Sequence, residues 1–230
     1  MKGYLPLFRL VMLAITVLPI AGCARFPEDS TPKVVQTITF KVTLNGPVNL
    51  NYHYFVAIDM FGGNEGPKPL FPTIPGQPWL TSQDPAKGGA THFVEFYQGR
   101  FTVYQIINLA EFQYQSLGSP LRSEYGTNYF SCTLDLLAIS PIPPTSNIDV
   151  NFINTDYPFD LERFIDGLGP IGGDYVNVDI TSSRTFSNAD TGYIEQAGDV
   201  LDRNRMIQTP SAQINPLDIS DWSIATEISN

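Results

Sequence analysis

Apolar and polar residues alternate with period two over much of the chain, the pattern of strands with one face buried. Across 36–44, Ile38, Phe40, Val42 and Leu44 alternate with Thr37, Thr39, Lys41 and Thr43. Asn45-Gly46-Pro47 follows as turn chemistry. Across 50–60, one face carries Leu50, Tyr52, Tyr54, Val56, Ile58 and Met60. The other carries Asn51, His53, Phe55, Ala57 and Asp59, so it begins wet and becomes apolar. That predicts a central strand covered in part on both faces, paired antiparallel with the run before it.

Residues 62–91 break the rhythm with prolines at 67, 69, 72, 75, 78 and 85 and glycines at 62, 63, 66, 76, 88 and 89. A connection this long inside a domain is usually functional or a packed Ω-type excursion. Leu70, Phe71 and Trp79 give it apolar anchors, so it is expected to lie on the body of the fold. Two strand patterns then flank Gln98-Gly99, at 92–97 and 100–108, which reads as a hairpin. Residues 109–127 are mixed, and 128–140 is a strand ended by Pro141-Ile142-Pro143-Pro144. Strands are also expected at 147–154, 175–182 and 222–228. A short helix is expected over 161–168, with Asp160 as N-cap and Gly169 near its end.

Short strands separated by turns, without alternating long helices, predict an all-β antiparallel β-sandwich. An immunoglobulin- or fibronectin-III-like version is the expected topology, with a long Pro/Gly-rich loop and at most one short helix. The paired cysteines and strand tryptophan of true immunoglobulin domains are missing from the pattern.

The N-terminus follows another logic. Lys2 and Arg9 precede an apolar run at 10–20 whose only polar side chain is Thr16. It ends in Leu18-Pro19-Ile20-Ala21-Gly22-Cys23. This layout is that of an export signal with small residues at the cut. The apolar stretch falls short of the about 20 residues a spanning helix needs. Residues 1–23 resemble the lipobox signal of bacterial lipoproteins. The resemblance implies cleavage between Gly22 and Cys23, a diacylglycerol thioether on Cys23, and acylation of its new amino group. It also implies a cell-envelope location, anchored to the outer face of the cytoplasmic membrane or, in a two-membrane cell, the outer membrane. Ala24 favours the outer membrane by the same resemblance. The expected organisation is a signal peptide at 1–22, a lipidated tether at 23–33 and one domain at 34–230. Ten tether residues reach at most about 35 Å, which keeps the domain near the bilayer.

Composition narrows the partners. The chain has 13 basic and 23 acidic residues, and losing Lys2 and Arg9 with the signal takes the net charge from −10 to −12. Nucleic-acid binding rests on Lys and Arg neutralising phosphates, so nucleic acid is excluded as a partner. Of the two cysteines, Cys23 takes lipid, which leaves Cys132 without an intramolecular partner. Cys132 shares its face with Phe130 and Leu134, the setting of a buried core thiol.

Catalytic signals are weak. Gly167-Leu168-Gly169-Pro170-Ile171-Gly172 has the letters of a dinucleotide loop, but follows an expected helix instead of opening one. Asp190-Thr191-Gly192 has the letters of an aspartic-protease loop, without the apolar strand before it or a second copy. Both read as turns. His53 and His92, the only two histidines, are too few for a zinc site by themselves and read as hydrogen-bonded or surface residues. Asp59 with Asn64 and Glu65, and Asp199 with Asp202 and Asn204, offer hard oxygens suited to Ca²⁺. Neither follows the EF-hand spacing, and both read as solvated acidic loops. No metal and no cofactor is implied. Tyr52 and Tyr54 on one strand face, with Trp79 in the loop, are the candidate ligand platform, since such rings offer an apolar face and a polar tip.

The expected function is that of a membrane-anchored envelope lipoprotein serving as a binding or structural module, more plausibly non-enzymatic. Its partners would be the bilayer, through acylated Cys23, and a protein or glycan. The alternative is an exported hydrolase on a β-scaffold, with the 62–91 loop over its site.

Overall fold

The computed structural model describes residues 35–61, 66–69, 79–80, 89–108, 113–140, 146–157, 164–168, 175–191 and 211–229. In chain order the strands are β1 (Val35–Leu44), β2 (His53–Asp59), β3 (Lys68–Pro69), β4 (Trp79–Leu80), β5 (His92–Tyr97), β6 (Arg100–Asn108) and β7 (Gln113–Gly118). They continue with β8 (Arg122–Tyr125), β9 (Tyr129–Asp135), β10 (Asn147–Thr155), β11 (Ile165–Gly167), β12 (Val176–Asp179), β13 (Arg184–Ser187) and β14 (Ile219–Ser229). Among the described residues, helical structure is confined to three four-residue turns, α1 (Leu136–Ile139), α2 (Asn188–Thr191) and α3 (Ser211–Ile214).

The strands form two antiparallel sheets facing one another. One has the order β13-β14-β1-β9-β8, and the other β11-β10-β2-β5-β6-β7. At the far edge of the second sheet, β12 pairs with the first half of β10 and β11 with its last residues. Lys68–Pro69 and Trp79–Leu80 form a separate short ladder. The fold is an antiparallel β-sandwich. In immunoglobulin domains the first and last strands lie in different sheets, whereas here β1 and β14 pair along their whole length.

The alternating residues explain the packing. Ile38, Phe40, Val42 and Leu44 of β1 face inward with Phe130, Cys132 and Leu134 of β9 and Trp222 and Ile224 of β14. They meet Tyr54, Val56 and Ile58 of β2, Val94 and Phe96 of β5, and Ile148, Val150 and Phe152 of β10. Ring contacts cross the interface between sheets: Phe40 meets Phe152 edge-on at 6.1 Å between centroids, and Tyr54 meets Phe130 at 5.3 Å. Each fully buried large apolar side chain contributes about 1.5–3 kcal/mol by leaving water. Cys132 is buried among them, as its alternation predicts.

The second sheet buries its outer face too. Phe55, Ala57, Phe93 and Ile153 cluster there with Ala90 and Ile165, and Tyr104, Ile106 and Tyr114 pack at the margin. Every residue of β2 is therefore buried, which is the double covering that its pattern predicts.

Three expectations are corrected. β1 and β2 do not pair, because they belong to opposite sheets. The connection leaves β1 at Leu44 and is held away from a hairpin by other strands. Leu44, Asn45 and Val48 donate their N–H groups to the carbonyls of Asn128, Asp218 and Thr127. Within the expected helix at 161–168, residues 165–167 are strand, since Ile165, Asp166 and Gly167 pair with Thr155, Asn154 and Ile153. Among the described residues there are three short helical turns where at most one was expected. One of them ends the 128–140 strand early: Asp135 Oδ1 accepts from Leu137 and Ala138 N–H at 3.0 and 3.2 Å, an N-cap that starts α1.

The β5–β6 hairpin forms as read. Gln98 and Gly99 both adopt positive φ, 50° and 75°, the twist of a two-residue type I′ turn.

Candidate functional site at the neck of the 62–91 loop

The base of the long loop is a clamp built where β2 ends and β5 begins. Thr91 donates to the Ile58 carbonyl from both its N–H, at 2.8 Å, and its hydroxyl, at 3.2 Å. The same hydroxyl accepts from Met60 N–H at 2.9 Å. Asp59 joins the clamp: Oδ1 accepts from Phe61 N–H at 3.1 Å, and the Gly89 backbone lies near enough to the carboxylate to favour its charged form. One side chain thus lies between the residue leaving the sheet and a residue returning to it.

β10 supplies the adjoining row. Asn151 is fully buried and donates from Nδ2 to the Pro67 carbonyl at 2.7 Å, while Oδ1 accepts from Leu168 N–H at 3.1 Å. It fastens an early segment of the loop and the end of β11 to the outer face. Two residues along, Asp149 lies directly opposite Asp59 in the β2–β10 register and opposite Asn177 in the β10–β12 register. Asn177 Nδ2 donates to Asp149 Oδ1 at 2.6 Å. Asp59, Asp149 and Asn177 therefore form a polar row across three neighbouring strands.

Burial dominates the electrostatics of this row. It raises the Asp59 carboxyl to about 6, with the Asp149 charge adding and the Phe61 and Gly89 amides opposing. Burial also raises Asp149, against the Asn177 hydrogen bond. Two such carboxylates side by side resist double ionisation. They can share a proton or take a cation between them.

At the other end of β2, His53 Nδ1 lies 2.7 Å from Glu95 Oε1, and its ring stacks on Tyr97 at 4.0 Å. His92 faces the opposite way, and its Nδ1 meets Thr91 Oγ1 at 3.0 Å. Both histidines are hydrogen-bonded. They lie on the adjacent strands β2 and β5, with His92 opposite Ile58 in the register and at the far end of β2 from His53.

The other sequence candidates fall as follows. Tyr54 is buried between the sheets, and Tyr52 is half-buried beside the core. Trp79 belongs to β4, and its side chain lies outside the described residues, as do Gly22, Cys23, Asn64, Glu65, Asp199, Asp202 and Asn204. Asp190 and Thr191 lie in the helical turn α2. Sequence reading missed Asp149 as a site residue. Its one signal was an acid inside a strongly alternating strand, and nothing local pairs it with Asp59.

Among the described residues, no three His, Cys, Asp or Glu side chains gather as a metal cluster. Nor is any described helix long and apolar enough to cross a membrane. The chain's class is an antiparallel β-sandwich. No protein-family model, no curated protein and no solved structure matches it.

Proposed function

We propose that this chain is an exported lipoprotein, held to a cell-envelope membrane through acylated Cys23, whose β-sandwich acts as a binding or structural module. The observation that carries this reading is the run Leu18-Pro19-Ile20-Ala21-Gly22-Cys23 behind a short basic and apolar leader. Two or three acyl chains, at about 0.8 kcal/mol per buried methylene, make a stable anchor where one chain is marginal. The partner is a protein or glycan of the envelope, and the acidic balance of the chain disfavours nucleic acid.

Acyl labelling in a bacterial host tests the anchor. The wild-type chain takes up labelled fatty acid and fractionates with membrane, and Cys23→Ala remains an unlabelled precursor. Label on the mutant overturns the reading. A screen of the purified protein against glycosidase, esterase and peptidase substrates tests the module. Turnover abolished by one acidic or histidine substitution would establish the hydrolase alternative instead.

A further inference from the structure

We propose that Asp59 and Asp149 bind a calcium ion at the neck of the 62–91 loop. The two residues stand directly opposite one another on β2 and β10, on the outer face of the larger sheet. They are 0% and 1% exposed. Among the described residues neither meets a lysine, an arginine or a histidine. Like charges directly opposite across a sheet are destabilising, and buried charge is retained where it is paired or coordinates a metal.

A second observation points to a ligand. Asp59 Oδ2 is buried and has no hydrogen-bond partner, while Oδ1 of the same carboxylate is engaged by Phe61 N–H. Buried acceptors without a donor are rare enough to require an explanation. A cation is the species that such an oxygen serves without a donor. Asp149 stands opposite it with Oδ1 engaged by Asn177 Nδ2 at 2.6 Å.

The donor set selects the ion. Carboxylate oxygens, with no thiolate or imidazole, suit a hard cation and not zinc. Calcium takes about six to eight oxygens and draws freely on backbone carbonyls and water, so two carboxylates suffice as its charged ligands. Magnesium demands near-ideal octahedral geometry and sheds water reluctantly, so it should bind less well. Since Asp59 lies between the two ends of the loop, the ion would tighten that neck.

The test is thermal denaturation of the full chain, first stripped with EDTA and then titrated with CaCl₂. Extracellular calcium sites bind with Kd around 10⁻⁴–10⁻³ M. At 10 mM calcium the midpoint should therefore rise by about 5 °C or more at the tighter end of that range, and less with MgCl₂. Asp149→Asn is isosteric and removes the like-charge conflict. It should be at least as stable as wild type in EDTA and should lose the calcium response. Asp59→Asn should lose it too, giving a second reading if either variant folds poorly. Isothermal titration should give one site in the wild type. A wild type indifferent to 10 mM calcium overturns the proposal, as does a response that survives in both variants. If Asp149→Asn is stabilised and the wild type ignores calcium, the pair holds a shared proton and no ion.

Discussion

Tyr54 on β2 donates its phenolic hydrogen to the carbonyl of Pro216, 162 positions away, at 3.1 Å, and accepts from Asn49 N–H at 2.9 Å. The ring packs on Phe96 and Phe130, so one residue joins both sheets, the β1–β2 connection and the approach to β14. Burial pushes the phenol well above its ordinary range, so the hydroxyl stays protonated and able to donate. Tyr54→Phe keeps the ring and orphans a carbonyl and an amide. It should cost about 2 kcal/mol, read as a lower denaturant midpoint at unchanged m-value.

His92 sets a pH dependence. Burial lowers its pKa to about 4, with a backbone hydrogen bond at Ile139 opposing, against an ordinary value of 6.5. The unfolded chain therefore binds a proton that the folded chain refuses between those values. The contribution is fully present above about pH 6.5 and is lost as pH falls toward 4. It amounts to roughly 2–4 kcal/mol. The raised Asp59 carboxyl acts in the opposite sense over the same range, gaining stability as pH falls, so the His92 effect is read as a difference. In chemical denaturation across pH 4–7 the wild type should lose stability relative to His92→Gln on acidification, and parallel pH profiles would mean that His92 contributes nothing.

Cys132 is buried, and burial raises its thiol to about 12. The thiolate is the reactive form. The native Cys132 thiol should therefore label slowly with a disulfide reagent at neutral pH and at once in denaturant. Immediate labelling of the native thiol would place it outside the core.

Gln98 is the one described non-glycine residue with positive φ, at 50°. Asparagine tolerates that region and, before Gly99, makes the favoured type I′ pair. Gln98→Asn should stabilise the protein by about 0.5 kcal/mol. Gly99→Ala should cost roughly 1 kcal/mol although a Cβ there has room, its nearest neighbour being Tyr125 Oη at 3.6 Å. Thermal midpoints of both variants check the pair, which should move in opposite directions.

Some of this protein is written locally. Period-two alternation follows from successive side chains leaving opposite faces of a strand. It therefore determined β1, β2, β10 and the buried side of Cys132 without reference to any partner. The β5–β6 hairpin was equally local, since Gln98-Gly99 sets its turn over two residues. The lipobox reading also belongs to the sequence, which holds the whole of its evidence. Tertiary structure decided which sheet each strand joined. β1 and β2 look like a hairpin from 36–60, yet Leu44, Asn45 and Val48 bond to Asn128, Asp218 and Thr127, and those partners separate the pair. It likewise made 165–167 a strand, because the edge of β10 offered backbone partners that no local pattern records. The candidate site was the least legible part. Asp59 and Asp149 are ninety positions apart, and only the β2–β10 register, chosen by the packing of Val56 and Ile58 against the opposite sheet, sets one carboxylate against the other.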